Sequence, residues 1–344
     1  MVLNPDSLSA ILSRYTIGKF RDIEVISHSN GESSYRIDLG AKHPTLLLKR
    51  YSDYDMAQLH LSNAMMLDIA DQTDVPIASP LKTKNGKTVV HDDENAYSLF
   101  RVPEHIVNHY PERIDIPPER VVSAARTLAS FHKAVSHILP HRTIKSKCFD
   151  FQQIGSLFSV HETIQQHYTH TRIDSFLLSS LPRLQDHFKD YLNRLKYVPK
   201  HSNLQLIHGR FTPQSLVFSG PEVSVLLDYE YIRFDHPCYE IAESLAHFSR
   251  SDITVTRFDI SRLRSFLNAY VSIHAPPPVS QRDVIVFLKH SRLEFVAKAV
   301  KKWSFSLQDP SVVDVVSESL KDLDAIDAQE HDIITSFSNA GLLK

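Results

Sequence analysis

The periodicity of apolar residues changes about one third of the way along the chain. The first part contains short β-prone runs, among them DIEVISHS, SSYRIDLG, TLLLKRY and AYSLFRV, separated by turn signals such as Asn-Gly. After these runs, apolar residues recur at helical spacing, first over residues 121–138 and then over most of the remaining sequence. This order predicts an α+β fold with two lobes. We predict a β-rich N-terminal lobe over residues 1–102 and a mainly helical C-terminal lobe over residues 103–344.

A second, shorter group of β-prone runs interrupts the helical part. LQLIHG, SLVFSG and VSVLLDY follow one another, and Ser219-Gly220-Pro221 supplies a turn between the last two. We therefore predict a hairpin within residues 204–230 of the C-terminal lobe.

Composition excludes several classes of protein. The eight glycines supply neither G-x-G-x-x-G nor G-x-x-x-x-G-K, so a bound nucleotide needs another architecture. A net charge of −2 does not predict a nucleic-acid partner. No apolar run approaches the roughly 20 residues of a membrane span, and the first residues lack a signal-peptide pattern. With only two cysteines, Cys148 and Cys238, these features predict a cytoplasmic protein that does not act at a membrane.

Three sequence features occur in an order that suits binding of a nucleotide. Lys49 ends the apolar run LLLK, where a lysine can reach the phosphates of ATP. The loop in LIHGRFTPQSLVF lies between two predicted strands. Asp228 follows the apolar run VSVLL, and a carboxylate at the end of such a buried strand can hold Mg²⁺.

In these motifs the chain resembles the aminoglycoside phosphotransferase and choline kinase family, which has a bilobal protein-kinase-like fold. The resemblance extends to VPIASPL, AARTLASFHKAV and LLDYEYIRFDHPCYEIAESLAHF, and so covers most of the chain. It implies ATP and Mg²⁺ as cofactors, Lys49 as the phosphate-binding lysine, and Asp228 and Glu230 as metal ligands. Phe100 and Val102 belong to the segment that would read adenine through backbone groups. The alternative for that segment is an ordinary buried edge strand.

The predicted catalytic loop departs from the family pattern. The resemblance places Arg210 where the family has its catalytic aspartate, and Ser215 where it has a metal-binding asparagine. By spacing, Asn63 stands nearest to the glutamate that pairs with the lysine. A positioned general base is worth about 10²–10⁴-fold in rate, and arginine cannot act as one because it does not lose its proton. Serine can still coordinate Mg²⁺ through its hydroxyl, so that change is the mildest.

His208 and Arg210 are therefore the candidate residues of a degenerate catalytic loop. We interpret His208 as a core histidine that braces the loop rather than as a catalyst, and Glu240 as the acid that braces the loop from a later helix. For Arg210 we predict an ion pair with Asp228 or Glu230. Replacement of one metal ion and binding of an anionic ligand are two further roles for it. Neutral drift without any role is the remaining alternative.

Two functions stay open at this point. The first is a pseudokinase that binds nucleotide weakly and serves as a regulatory or scaffolding subunit for a partner protein. The second is a divergent ATP-dependent phosphotransferase acting on a small hydroxylated or amino-alcohol substrate. Loss of the base, the second metal ligand and the pairing glutamate favours the first, whereas Lys49, Asp228 and Glu230 favour the second. The sequence leaves open whether the protein is an enzyme, and nucleotidylation is a third reading.

Overall fold

The computed structural model describes residues 5–29, 32–40, 45–52, 55–92, 94–102, 116–138, 160–167, 171–198, 203–250, 257–305 and 310–344. It has the predicted α+β architecture. The chain divides into two compact units, one formed by residues 1–145 with 206–233 and the other by residues 146–205 with 234–344. The lobe boundary after residue 102 stays a prediction, because residues 103–115 lie outside the described part.

Five antiparallel strands form the sheet of the first unit, in the order β1-β2-β3-β5-β4. They are β1 (Asp22–Ser29), β2 (Glu32–Asp38), β3 (Thr45–Ser52), β4 (Val90–His91) and β5 (Asn95–Val102). The β-prone runs of the sequence are thus confirmed as β1, β2, β3 and β5. The turn between β1 and β2 falls on residues 30–31, outside the described residues.

Side-chain alternation along these strands separates a core face from a second face. Helix α1 (Pro5–Leu12), which the sequence analysis does not predict, packs on the core face. There it meets a cluster of buried residues that recur at every second position: Tyr35, Ile37, Leu46, Leu48, Tyr97 and Leu99. Because successive side chains point to opposite faces, Lys49 and Tyr51 lie on the second face. Helix α2 (Met56–Gln72) packs there, with its Leu59 in one buried cluster with Tyr51.

A hairpin is present within residues 204–230, while its assignment to the C-terminal lobe stays a prediction. It consists of β7 (Leu216–Ser219) and β8 (Glu222–Leu226), which pair antiparallel, and it follows β6 (Gln205–Ile207) and a short 3₁₀ helix, η1 (Pro213–Ser215). A second 3₁₀ helix, η2 (Tyr229–Tyr231), and β9 (Arg233–Asp235) come after it.

Helix α3 and the segment of residues 76–79 hold this hairpin in place. In α3 (Pro118–Val135), Ser123 Oγ accepts a hydrogen bond from the Val223 amide at 2.9 Å. The amide of Leu226 donates to the Pro76 carbonyl at 2.6 Å, and the amide of Ala78 donates to the Leu226 carbonyl at 3.1 Å. These bonds fix the carboxyl end of β8, from which the acidic Asp-Tyr-Glu segment emerges.

The described residues of the second unit are mainly helical. Its helices are α4 (Val160–Gln166), α5 (Arg172–Leu195), α6 (Pro237–Phe248), α7 (Ile260–Val271), α8 (Gln281–Phe305), α9 (Ser311–Ala328) and α10 (Glu330–Asn339). Trp303 of α8 lies in a buried apolar cluster to which α4, α5 and α9 contribute. In the described ranges of both units, no helix has the length and apolar character needed to cross a membrane.

A buried lysine ties three helices of the second unit together. The Lys289 side chain of α8 is fully buried, and its Nζ lies 2.5 Å from both Asp190 Oδ2 of α5 and Asp327 Oδ1 of α9. Burial alone raises the pKa of Asp190, but hydrogen bonds from Lys289 and Arg194 outweigh it and lower that pKa. Burial likewise raises the pKa of Asp327, and hydrogen bonds from His187 and Lys289 reverse the shift.

We expect Lys289→Met to lower the free energy of unfolding at pH 7 by about 2–3 kcal/mol, because two carboxylates lose a shared buried cation. Their partial exposure keeps the loss below that of a fully buried pair. A carboxyl with a lowered pKa stabilises the fold above its ordinary value of 3.8, and this stabilisation disappears as the pH falls. The variant should therefore unfold at a higher pH than the wild type in an acid titration followed by circular dichroism.

Lys189→Met provides the matched control. Lys189 is also on α5 but its side chain is 76% exposed. Its replacement should change the free energy of unfolding by less than about 0.5 kcal/mol. Identical acid midpoints for Lys289→Met and the wild type would contradict the assigned role of the buried lysine.

Candidate functional site

Lys49, Asp228 and Glu230 meet in the first unit, although the lysine is about 180 positions from the acids in the sequence. The Lys49 ammonium donates a hydrogen bond of 2.7 Å to Asp228 Oδ1 and another to Glu230 Oε1. Lys49 and Glu230 are buried, while Asp228 keeps 20% of its side-chain surface exposed. The structure thus unites the three polar residues to which the resemblance assigns phosphate and metal binding. Those two assignments themselves remain predictions.

Asp228 has an unusual backbone and a well-supported negative charge. Its φ of 65° and ψ of 41° lie in the left-handed region, which costs a residue other than glycine about 1–2 kcal/mol. Burial raises the pKa of its carboxyl, but the charges of Lys49 and Arg210 outweigh burial and hold the pKa below its ordinary value. Asp228 is therefore ionised at neutral pH.

Asn63 of α2 satisfies its amide without a charged partner. It is buried, and its Nδ2 donates to Ser98 Oγ of β5 at 2.9 Å. Ser98 is the residue that pairs with Lys49 across the β3–β5 ladder. Since asparagine is neutral, it cannot supply the negative charge of the glutamate expected at its position. Asp228 and Glu230 supply negative charge to Lys49 instead.

His208 is enclosed by aromatic rings and by backbone. Its ring lies edge-on to Phe131, Phe211 and Tyr229, at centroid distances of 6.0, 6.0 and 5.5 Å. Nε2 lies 2.6 Å from the Leu227 carbonyl, which can only accept a hydrogen bond, so Nε2 carries the proton. Nδ1 accepts the Arg210 amide at 3.4 Å. These contacts support the interpretation of His208 as a brace for the loop.

The Arg210 side chain is exposed and is held by Tyr231. Its Nη1 donates to the Tyr231 hydroxyl at 2.7 Å, and its guanidinium carbon lies 4.8 Å from the centre of the Tyr231 ring. A cation over an aromatic face at an exposed site gains about 0.5–1 kcal/mol. The charge of Arg210 also lowers the pKa of Asp228, so the guanidinium acts electrostatically on that carboxylate. A direct ion pair between Arg210 and Asp228 or Glu230 stays a prediction.

Ser215 is buried at the end of η1, where its hydroxyl closes a turn. Ser215 Oγ accepts the Thr212 amide at 3.0 Å and donates to the Thr212 carbonyl at 2.7 Å. Both contacts belong to the catalytic-loop segment itself. A metal-binding role for this hydroxyl stays a prediction.

Phe100 and Val102 are buried on β5, where they pair with Leu47 and Thr45 of β3. The neighbouring Arg101 amide donates to the Ser79 carbonyl at 3.2 Å, so the segment of residues 76–79 covers that edge of β5. Recognition of adenine here remains a prediction. Glu240 is buried in α6 of the second unit, and its bracing role is likewise untested.

Asp228, Glu230 and Lys49 fit a metal ion whose remaining coordination positions would be filled by phosphate oxygens. Mg²⁺ in proteins is held by one or two carboxylates together with substrate phosphates. Asp228 and Glu230 supply two carboxylates, and Lys49 supplies a cation of the kind that binds phosphate. In the part of the chain that the structure describes, no cluster of three or more His, Cys, Asp or Glu residues could hold a metal ion by itself.

The sequence does not mark Tyr229 and Tyr231 as site residues. The Tyr229 hydroxyl donates to the Leu226 carbonyl and accepts the Ala78 amide at 3.1 Å, which anchors η2 to the hairpin. Tyr231 holds Arg210. The signal for both is the alternation of tyrosines with acids in Asp-Tyr-Glu-Tyr. A tyrosine next to a cluster of charges is a ready partner for a cation.

A sequence profile described as APH, phosphotransferase enzyme family, matches residues 22–275, well over half of the chain. The chain belongs to this family. Its fold is the protein-kinase-like fold of aminoglycoside phosphotransferases and related kinases. None of the curated proteins compared with this family member matches it in sequence.

Solved structures of other kinases share the fold. A spectinomycin phosphotransferase in complex with ADP and spectinomycin is 11% identical, with a TM-score of 0.68 over 93% of this chain and 100% of that one. An amicoumacin kinase in complex with AMP-PNP, Ca²⁺ and amicoumacin is 9% identical, with a TM-score of 0.66 over 94% and 93%. A microcompartment-associated aminopropanol kinase is 14% identical, with a TM-score of 0.63 over 98% and 99%. At such identities the likeness concerns the fold alone.

Proposed function

We propose that this family member is a cytoplasmic nucleotide-binding pseudokinase that acts as a regulatory or scaffolding subunit for a partner protein. The observation that carries the proposal is Arg210. Its guanidinium stands in the catalytic loop, stacked on Tyr231, where the resemblance expects a carboxylate. A guanidinium stays protonated at every usable pH, so it cannot accept the proton of an attacking hydroxyl.

Nucleotide binding is supported by the residues that remain. Lys49 would hold the phosphates, and Asp228 and Glu230 would hold Mg²⁺, which when bound neutralises charge on the phosphate oxygens. Two of the solved relatives contain AMP-PNP and ADP, which suits a nucleotide ligand for this fold. Arg210 adds a second cation near the acids, so the loop attracts anions and does not activate an alcohol.

The other changes in the site act in the same direction. Asn63 brings no charge to Lys49, and the Ser215 hydroxyl is engaged with Thr212. A single lost base need not stop phosphoryl transfer, because that reaction relies mostly on positioning and on stabilisation of charge. Loss of three polar groups at once is harder to compensate. Arg210 therefore accounts for the largest part of the impairment that we propose, and Asn63 and Ser215 add to it.

A second candidate is a divergent ATP-dependent phosphotransferase acting on a small hydroxylated or amino-alcohol substrate. It is favoured by the close grouping of Lys49, Asp228 and Glu230. The similar solved structures include kinases named for spectinomycin, amicoumacin and aminopropanol. In this reading the acidic pair and the lysine position the nucleotide, and transfer proceeds slowly without a general base.

Thermal unfolding with ATP, in the presence and absence of Mg²⁺, separates these functions when it is combined with an assay for ADP. We expect MgATP to raise the melting temperature by a few degrees, because a ligand that binds only the folded state stabilises it. We expect no increase in ADP release when amino alcohols or aminoglycosides are added.

Asp228→Asn is the control for this experiment, because it keeps the size of the side chain and removes the charge that would bind metal. It should abolish the Mg²⁺-dependent part of the shift. ADP release that depends on an added alcohol would reject the pseudokinase and support the second candidate. Absence of any shift with ATP would reject nucleotide binding.

A further inference from the structure

The Lys49 ammonium lies between Asp228 and Glu230, the two acids taken as metal ligands. Its Nζ is 2.7 Å from Asp228 Oδ1 and also hydrogen-bonded to Glu230 Oε1, so one cation bridges the two carboxylates. Lys49 has 7% and Glu230 has 3% of its side-chain surface exposed. Little water is therefore present to screen a second cation from the first.

The net charge of the group reinforces this arrangement. Lys49 and Arg210 supply two positive charges that act on Asp228, and Asp228 and Glu230 supply two negative ones. These four charges therefore balance before any ligand arrives. A divalent ion entering alone would leave two uncompensated positive charges in a partly buried site, which is electrostatically unfavourable.

We propose that Lys49 is an internal cation that excludes free divalent metal, so that a metal ion enters only by exchange with the lysine when nucleotide phosphates take over its ammonium. The loss of an acidic partner at Asn63 is part of this device. Because Asn63 is neutral and bonds Ser98, negative charge reaches Lys49 from Asp228 and Glu230, the acids that would bind metal. Metal and nucleotide then bind as one unit. This inference rests on the proposed function in taking Asp228 and Glu230 as the metal ligands and nucleotide phosphates as the group that displaces Lys49.

The test is an equilibrium titration with Mn²⁺ in the absence of nucleotide, with unbound ion measured by electron paramagnetic resonance. We expect Lys49→Met to bind Mn²⁺ at least about tenfold more tightly than the wild type, because removal of the ammonium frees both carboxylates and eliminates the repulsion. Lys49→Gln, which retains hydrogen-bonding groups near the acids, should show the same gain. It keeps the experiment decisive if the methionine variant fails to fold. Both variants should also melt at a lower temperature than the wild type without metal and recover when Mn²⁺ is added.

Two further variants locate the ion and control for charge. Asp228→Asn added to Lys49→Met should remove the gained affinity, which places the ion at this site. Lys84→Met removes one positive charge from an exposed turn of the same unit and should leave Mn²⁺ affinity unchanged.

Equal or weaker Mn²⁺ binding by folded Lys49→Met and Lys49→Gln would overturn the inference, as would a gain that survives Asp228→Asn. These measurements contain no nucleotide. A failure of ATP to bind would therefore reject the proposed function and leave the exclusion of free metal by Lys49 intact. Unchanged Mn²⁺ affinity in the Lys49 variants would overturn this inference and leave the proposed function intact.

Discussion

Arg210→Asp is expected to raise the rate of ADP formation from MgATP by about 10²-fold or more with an added amino alcohol. The reason is that a carboxylate in the catalytic loop can accept the hydroxyl proton, which is worth about 10²–10⁴-fold when the base is positioned. The substitution also removes a cation that acts on Asp228. The measurement is initial-rate kinetics with a panel of amino alcohols and aminoglycosides.

Arg210→Asn is the matched control, because it has nearly the size of aspartate but cannot take up a proton at neutral pH. It should stay close to the wild-type rate. If asparagine and aspartate raise the rate equally, the guanidinium blocks the site and the missing base is not the cause. If neither variant turns over, other changes in the site are limiting. Adding Ser215→Asn then tests the second metal ligand, at a cost of about 1 kcal/mol from the lost hydroxyl bonds to Thr212.

Gly209→Ala should be among the most destabilising single substitutions in the catalytic loop. Gly209 has a φ of 82°, which costs an alanine about 1 kcal/mol or more. A Cβ at this position would also collide with the Tyr231 carbonyl and lie 2.8 Å from Arg233 Nη1. Backbone atoms cannot move aside as a flexible side chain does, so we expect the free energy of unfolding to fall by about 3 kcal/mol or more. Urea unfolding followed by fluorescence measures it.

Gly86→Ala separates the two causes. Gly86 has a similar φ of 77°, but nothing lies within 4 Å of the Cβ that it would gain. The free energy of unfolding of Gly86→Ala should therefore fall only by the cost of the backbone conformation, about 1 kcal/mol. The prediction for Gly209 fails if the two alanine variants unfold at the same urea concentration.

Local sequence patterns anticipate much of the fold of the first unit. The period of two in SSYRID and the apolar run in TLLLKRYS predict β2 and β3, and side-chain alternation along β3 places Lys49 on the face opposite Leu46 and Leu48. Local sequence patterns do not predict helices α1 and α10. Each is short, and α1 is held by packing on the sheet, which a window of eight residues does not encode.

The candidate site divides in the same way. The sequence identifies Lys49 and Asp228 because each follows an apolar strand, and it identifies Arg210 through the motif around it. The hydrogen bond from Lys49 to Glu230 depends on the turn of η2, and the position of the Arg210 side chain depends on its contact with Tyr231. The engagement of Ser215 with Thr212 depends on the turn at η1. These contacts depend on the geometry of loops, which no periodic pattern in the sequence predicts.

The left-handed backbone at Asp228 sets conformational strain against the charge of its side chain. Glycine would adopt the same torsion angles without strain, and asparagine would reduce the strain, but neither would supply a negative charge to Lys49. Relief of about 1–2 kcal/mol of strain is smaller than the roughly 3–5 kcal/mol lost when one partner of a buried ion pair is removed. Repeated selection of random variants for thermal resistance alone should therefore preserve aspartate at position 228, as should selection for retention on an immobilised nucleotide.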